Sequence, residues 1–365
     1  MLSRLFLGGI AALALAACSP PEPVRIGFIG GLSGRVADLG EGGRNGALLA
    51  VEEKNQAGGI GGRKIELLVR DDAQSPEQAE LATRELVAAG VVAIIGPMTS
   101  AMAGSVLKVA EPAGIVVVSP TVTARDFAER DDVFFTVTPN TTMEARMGGE
   151  YHLRQKIRRV VAIADHANDV YTRSWLDDFE KTLRAGGGEV SEVAFRSSEN
   201  VDYVAIVSQV LAQKPDAVLL LASAVDTGRL AQQIRRHDKR LPMLTAMWAG
   251  TEKLMEMGGS AVEGMTLHQY FDRLSKAPRY LDFHARYSVR YLQAPGFPGV
   301  AGYDAAQSIL ESLERRREGM SLKEALLKTG PFSGIQGEVS FNAAGDSERR
   351  PTISVVRQGQ FVMVE

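Results

Sequence analysis

"VVAIIGPMTSAMA", residues 91–103, packs three kinds of signal into thirteen positions. Val91 to Ile95 is apolar at every step, so both faces of this run must be covered. Gly96 and Pro97 break the pattern. A helix-like segment then opens near Ser100, where free backbone N–H groups and the helix dipole favour an anion. The sequence repeats the first of these signals along most of its length. Continuous β-like runs occur at 24–30, 63–70, 115–119, 158–165, 216–222 and 263–269, with amphipathic stretches between them. Strands hydrophobic on both faces and separated by helices define an α/β chain with parallel sheets, and such sheets take ligands beyond the carboxyl ends of their strands. "SPEQ", Ser75–Gln78, marks one helix start: a Ser cap, Pro in the first turn and Gln placed to complete a capping box.

The chain has 365 residues, 45% of them hydrophobic and 23% charged, with a formal net charge of −3. That is enough material for two domains. A slightly acidic balance gives no footing for nucleic acid, and "RRR" at 315–317 reads as a solvated helix face. Arg4 followed by the apolar Leu5–Ala17 forms a signal peptide too short to span as a mature helix. It ends in "LAAC", Leu15–Cys18, and Cys18 is the only cysteine of the chain. An ordinary signal peptide would leave Cys18 by chance, whereas a lipobox would make its thiol the acceptor of a diacylglycerol. The unique position favours the lipobox. Residues 1–17 are therefore expected to be removed, Cys18 to carry a lipid anchor, and 18–23 to act as a proline-rich tether on the periplasmic face of a bacterial envelope. Ser19, where Asp would retain the protein at the inner membrane, leans toward the outer one.

The glycine-dense stretch 28–46, "FIGGLSGRVADLGEGGRNG", invites a phosphate-binding reading. Its glycines lack dinucleotide-loop spacing, and the pattern places a long segment between Ile29 and a helix expected near Asn45. "GGIGGRKI", 58–65, precedes a strand and places Ile after Lys64, so it is no P-loop. These glycines read as turn and close-packing residues. His152, His166, His237, His268 and His284 show no metal-ligand spacing, and no nucleophile–base pair can be assembled. No cofactor, metal or catalytic residue is expected.

At this point the residues resemble a family. The block 30–79, together with "IIGPMTSAMA" (94–103), "VSPTVTARDF" (118–127), "VFFTVTPN" (133–140), "PDAVLLLAS" (215–223), "AVEGMTLH" (261–268) and "GEVSFNAAGD" (337–346), is similar to the leucine/isoleucine/valine-binding group of periplasmic binding proteins. The resemblance covers nearly all of the mature chain, in order. It implies a type I periplasmic binding protein: two doubly wound lobes with parallel sheets, joined by a three-strand hinge. Lobe 1 would comprise 24–140 plus 271–346, and lobe 2 141–270 plus 347–365. The crossings fall near Pro139–Thr142, Gln269–Arg273 and Gly345–Arg350. A small-molecule ligand would lie between the lobes and pass to the permease subunits of an ABC importer, with the binding protein acting as a monomer. The same fold also serves ligand-sensing regulatory lipoproteins.

The resemblance places Ser100 and Thr123 on contact positions for a ligand carboxylate, with Thr121 beside them. A plain N-cap would account for Ser100, and a turn for the threonines. Tyr171 matches the family's cleft tyrosine. Trp248 is either a stacking wall or a buried lobe residue. The acid that meets an amino-acid ammonium is missing from "LPMLTAMWAGTEK" (241–253), and Ser223 and Ala224 stand where an aromatic is usual. Asp226 is the remaining acidic candidate, with a helix start as its other possible role. The expected ligand is thus a small molecule bearing a carboxylate or amide: a branched-chain amino acid or another small organic acid.

Overall fold

A computed structural model describes residues 21–364; the signal peptide, Cys18 and the first tether residues lie outside the described residues. Five parallel strands form the first sheet: β1 (Val24–Gly30), β2 (Ile65–Asp71), β3 (Ala93–Ile95), β4 (Val116–Ser119) and β5 (Phe134–Thr136), in the order β2-β1-β3-β4-β5. The second sheet contains β6 (Arg159–Asp165), β7 (Glu189–Phe195), β8 (Ala217–Leu221), β9 (Met243–Thr245) and β10 (Thr266–Gln269), all parallel. A hairpin, β11 (Phe332–Gly334) and β12 (Gly337–Val339), precedes β13 (Thr352–Arg357) and β14 (Gln360–Met363). The last two strands add to β10 antiparallel, giving the order β14-β13-β10-β9-β8-β6-β7. The parallel reading thus describes the first sheet fully and the second except for this edge.

Alternation explains the continuous apolar runs. Ala93 and Ile95 join one hydrophobic cluster and Ile94 the opposite one; Val161 and Ile163 are divided in the same way from Val160 and Ala162. Each strand therefore feeds two cores, one on each side of its sheet. The first sheet is flanked by α1 (Ala37–Gln56), α2 (Pro76–Ala88) and α3 (Ser100–Ala110). The second carries α4 (Thr141–Arg154), α5 (Asp169–Ala185), α6 (Tyr203–Ala212), α7 (Ala224–His237) and α8 (Glu252–Gly258). The helices α9 (Pro278–Tyr291), α10 (Phe297–Arg315) and α11 (Leu322–Lys328) return to the first sheet's core. The chain accordingly passes between the two halves after β5, after β10 and after β12.

Two local expectations can be compared with the structure. Ser75 caps α2 by accepting from Gln78 N, with Pro76 in the first turn. The glycine-rich segment differs: α1 begins at Ala37, not near Asn45. Two of its glycines, Gly40 and Gly46, are required inside the helix because other backbone lies directly against them. A Cβ on Gly46 would stand 1.9 Å from the Gly299 carbonyl oxygen, and one on Gly302 2.1 Å from that of Gly43. The helices α1 and α10 therefore touch through bare backbone, and tertiary packing overrides glycine's poor helix propensity.

Gly302→Ala should cost at least 2–3 kcal/mol, roughly, because a backbone carbonyl cannot move aside as a side-chain tip can. Gly104 in α3 faces open space, so Gly104→Ala should be neutral or stabilising by up to about 1 kcal/mol. Thermal melting of the two variants checks the contrast.

Candidate ligand-binding site

The carboxyl ends of both sheets point at one interlobe space of about 300 Å³, part of it open to solvent. From the first half, Leu39, Met98, Thr99, Ser100, Thr121, Thr123 and Phe297 line it; from the second, Asn168, Tyr171, Met247 and Trp248. The order of each sheet reverses next to its first strand, at β1/β3 and at β6/β8, which is where open α/β sheets form crevices. Ser100 follows β3, Thr121 and Thr123 follow β4, Asn168 and Tyr171 follow β6, and Met247 and Trp248 follow β9. Five of the sequence-derived candidates (Ser100, Thr121, Thr123, Tyr171 and Trp248) meet in this space.

Ser100 is the first residue of α3, not its N-cap. The cap position belongs to Thr99, whose hydroxyl turns away to donate to Gln74 Oε1 at 3.0 Å. Ser100 Oγ lies 3.4 Å from the N–H groups of Thr123 and Ala124, which donate to it. Thr121 Oγ1 donates to the Met98 carbonyl at 2.6 Å. The helix start at Ser100 and the loop carrying Thr121 and Thr123 thus line the cavity from the first half, held together by the two loop amides that donate to Ser100 Oγ. The Ala101 N–H completes the picture: it donates at 2.9 Å to Asn168 Oδ1, a side chain of the other half.

The second half supplies an aromatic wall. Tyr171 meets Trp248 edge-on, with ring centroids 5.6 Å apart. Its buried hydroxyl has no hydrogen-bond partner in the protein. Burial, reinforced by the nearby carboxylate of Glu144, raises its pKa well above 10, so the proton stays on. Trp248 is half-buried and contacts core residues of both halves, so wall and packing element are one residue.

Asp226 does not line the cavity. It is fully buried at the start of α7, where Ser223 caps the helix by accepting from Asp226 N. Its carboxylate accepts from Ser223 Oγ at 2.8 Å and Tyr203 Oη at 2.5 Å, and forms an ion pair with Arg35. With those partners it is not available to a ligand ammonium; its role is structural. Arg35 belongs to the first half, so this pair spans the interlobe gap, as does the bond from Thr251 to Asp38. Arg125 similarly donates to Ser174 and Asp178 of α5. The two halves are closed on each other.

Asn168 and Glu144 were not legible from the sequence. Asn168 sits at the end of β6, where the carboxyl-end rule points, but "DHAND" reads as a run of capping residues. Glu144 gives no local sign at all. It is buried in the first turn of α4, and its Oε1 accepts from Met247 N at 3.0 Å, holding the turn that carries Trp248. Desolvation raises its pKa to about 7.

Among known proteins, the family model for periplasmic binding protein matches residues 23–357. The leucine-, isoleucine-, valine-, threonine- and alanine-binding protein of Pseudomonas aeruginosa is 24% identical over 353 residues, covering 94% of this chain and 92% of that one. The leucine-binding protein LivK of Thermotoga maritima is 25% identical with a TM-score of 0.85, covering 94% and 98% of the two chains. A solute-binding protein of an R. palustris ABC transporter, solved in complex with benzoate, shares the fold at 21% identity and a TM-score of 0.84, with 94% and 95% coverage. The chain belongs to the periplasmic binding protein family.

Two outcomes test the site's electrostatics. The folded state keeps on Glu144 a proton that the unfolded chain releases above about pH 4.5. That contribution is full at low pH and is lost as pH rises through 7, a swing on the order of 3 kcal/mol. Glu144→Gln should therefore gain melting temperature relative to the native protein between pH 5 and pH 8. Arg35→Gln should weaken closure by about 1 kcal/mol, roughly a fivefold shift toward the open form, visible as a larger radius of gyration in solution scattering.

Proposed function

We propose, from membership of this family, that the protein is the extracytoplasmic solute-binding component of an ABC importer. It is a monomeric, non-enzymatic lipoprotein held through Cys18 on the periplasmic face of the envelope, and it captures a small ligand bearing a carboxylate or amide. The two lobes, 24–140 with 271–346 and 141–270 with 347–365, move as units about the three crossings. The observation that carries this reading is the meeting of Ser100 at the start of α3, Thr121 and Thr123 in a cavity whose other wall, Asn168, Tyr171, Met247 and Trp248, belongs to the opposite half.

The physical logic is that of a split site. Ser100, Thr121 and Thr123 hold the negative or polar end of the ligand; Tyr171 and Trp248 cover its body. Neither set suffices alone, so the ligand binds the closed arrangement better than the open one and shifts the population toward it. The closed outline is then what the permease subunits engage. The names of the relatives support branched-chain amino acids as one ligand class, and the benzoate complex supports organic acids as another.

A thermal-shift screen over amino acids, aromatic acids and short-chain acids identifies the class. Replacing Ser100 and Thr123 together by alanine should weaken the best ligand by at least about 100-fold, since hydrogen bonds to a carboxylate are worth about 1.5–3 kcal/mol each. Unchanged affinity in calorimetry would remove the carboxylate clasp.

A further inference from the structure

Resting on the binding function proposed above, the chemistry of the second half says what stands beside the ligand's carboxylate. The residues lining the cavity include no Asp or Glu. Two buried acids of the second half, Glu144 and Asp226, lie outside the lining and are engaged: Glu144 accepts from Met247 N, and Asp226 is paired with Arg35. An α-ammonium enclosed here would keep its charge without a counter-charge, at a cost of several kcal/mol, roughly.

What the second half does present is donors. Tyr171 lines the space, and its buried Oη finds no acceptor in the protein for its proton. Asn168 has its Oδ1 committed to the Ala101 N–H, so its Nδ2 amide hydrogens are what that side chain has left to offer. Leu39, Met98, Met247, Trp248 and Phe297 complete an apolar wall. A ligand matched to this inventory carries a carboxylate for the first half, a hydrogen-bond acceptor next to it for the second, and an apolar body.

We propose that the ligand is a 2-oxo carboxylic acid with an apolar side chain, its keto oxygen accepting from Tyr171 Oη and Asn168 Nδ2 where an amino acid would present an ammonium. Binding is non-covalent.

Calorimetry with three isosteric probes tests it: 4-methyl-2-oxopentanoate, leucine, and 4-methylpentanoate, which lacks the second oxygen. The expected result is that the oxo acid binds at least tenfold more tightly than either of the others. Tyr171→Phe should remove most of the oxo acid's advantage over 4-methylpentanoate, lowering the ratio of the two affinities at least fivefold. Asn168→Asp keeps an oxygen for Ala101 N–H and adds a charge facing the cavity, so it should raise leucine binding and lower oxo-acid binding. Leucine binding as tightly as the oxo acid to the native protein overturns the proposal while leaving the solute-binding function intact. In that event a selective loss of leucine with Glu144→Gln would assign the counter-charge to Glu144. Equal affinities for the oxo acid and 4-methylpentanoate overturn it as well. Failure of all three probes, together with failure of every carboxylate in the broader screen, would instead remove the binding function on which the proposal rests.

Discussion

The start of α3 governs this molecule. Its own cap residue, Thr99, spends its hydroxyl on Gln74, and the Ala101 N–H is satisfied by an asparagine from the other half of the chain. Backbone donors at a helix start must find partners in protein, water or ligand. Here the partner arrives only when the halves come together. The same few ångströms hold Ser100 and the amides that converge on it, so the place where the halves need each other is also the place where a ligand would sit. Closure and recognition are one event.

Around that point lie contacts that favour closure on their own. Asp226 shows how they differ in kind from the site. A carboxylate with no solvent exposure requires full pairing, and Arg35, Tyr203 and Ser223 provide it. Tyr203 and Ser223 belong to the same half as Asp226, while Arg35 comes across the gap. Opening therefore removes the only full positive charge from a carboxylate that keeps its two hydroxyl partners. The contact across the gap is thus one ion pair laid on a carboxylate that its own half already holds.

The sequence made the sheets legible because burial on both faces leaves no polar alternation; the carboxyl-end rule pointed to the segments after the strands, and the resemblance to the leucine/isoleucine/valine-binding group singled out Ser100, Thr123 and Tyr171 there, with Thr121 and Trp248 as their neighbours. Other features were hidden for identifiable reasons. The start of α1 was obscured by glycines that admit α10, which begins 260 residues after α1 does. Short strands such as β5 and β9, three residues each, carry too little pattern to stand out. Glu144 acts on Met247, 103 positions away, and no local rule connects them. Asp226 was visible as an acid beyond a strand, but its partner Arg35 lies in the opposite half, which only the folded chain brings near.

The bare contact between α1 and α10 also bears on the order of assembly. The first half of the molecule is not finished when its own strands have emerged, because the surface of α1 that exposes Gly43 and Gly46 waits for a helix beginning at Phe297. The second half is synthesised in between. A chain emerging from its amino terminus must therefore present more than four-fifths of its length before α1 can bury its glycine seam.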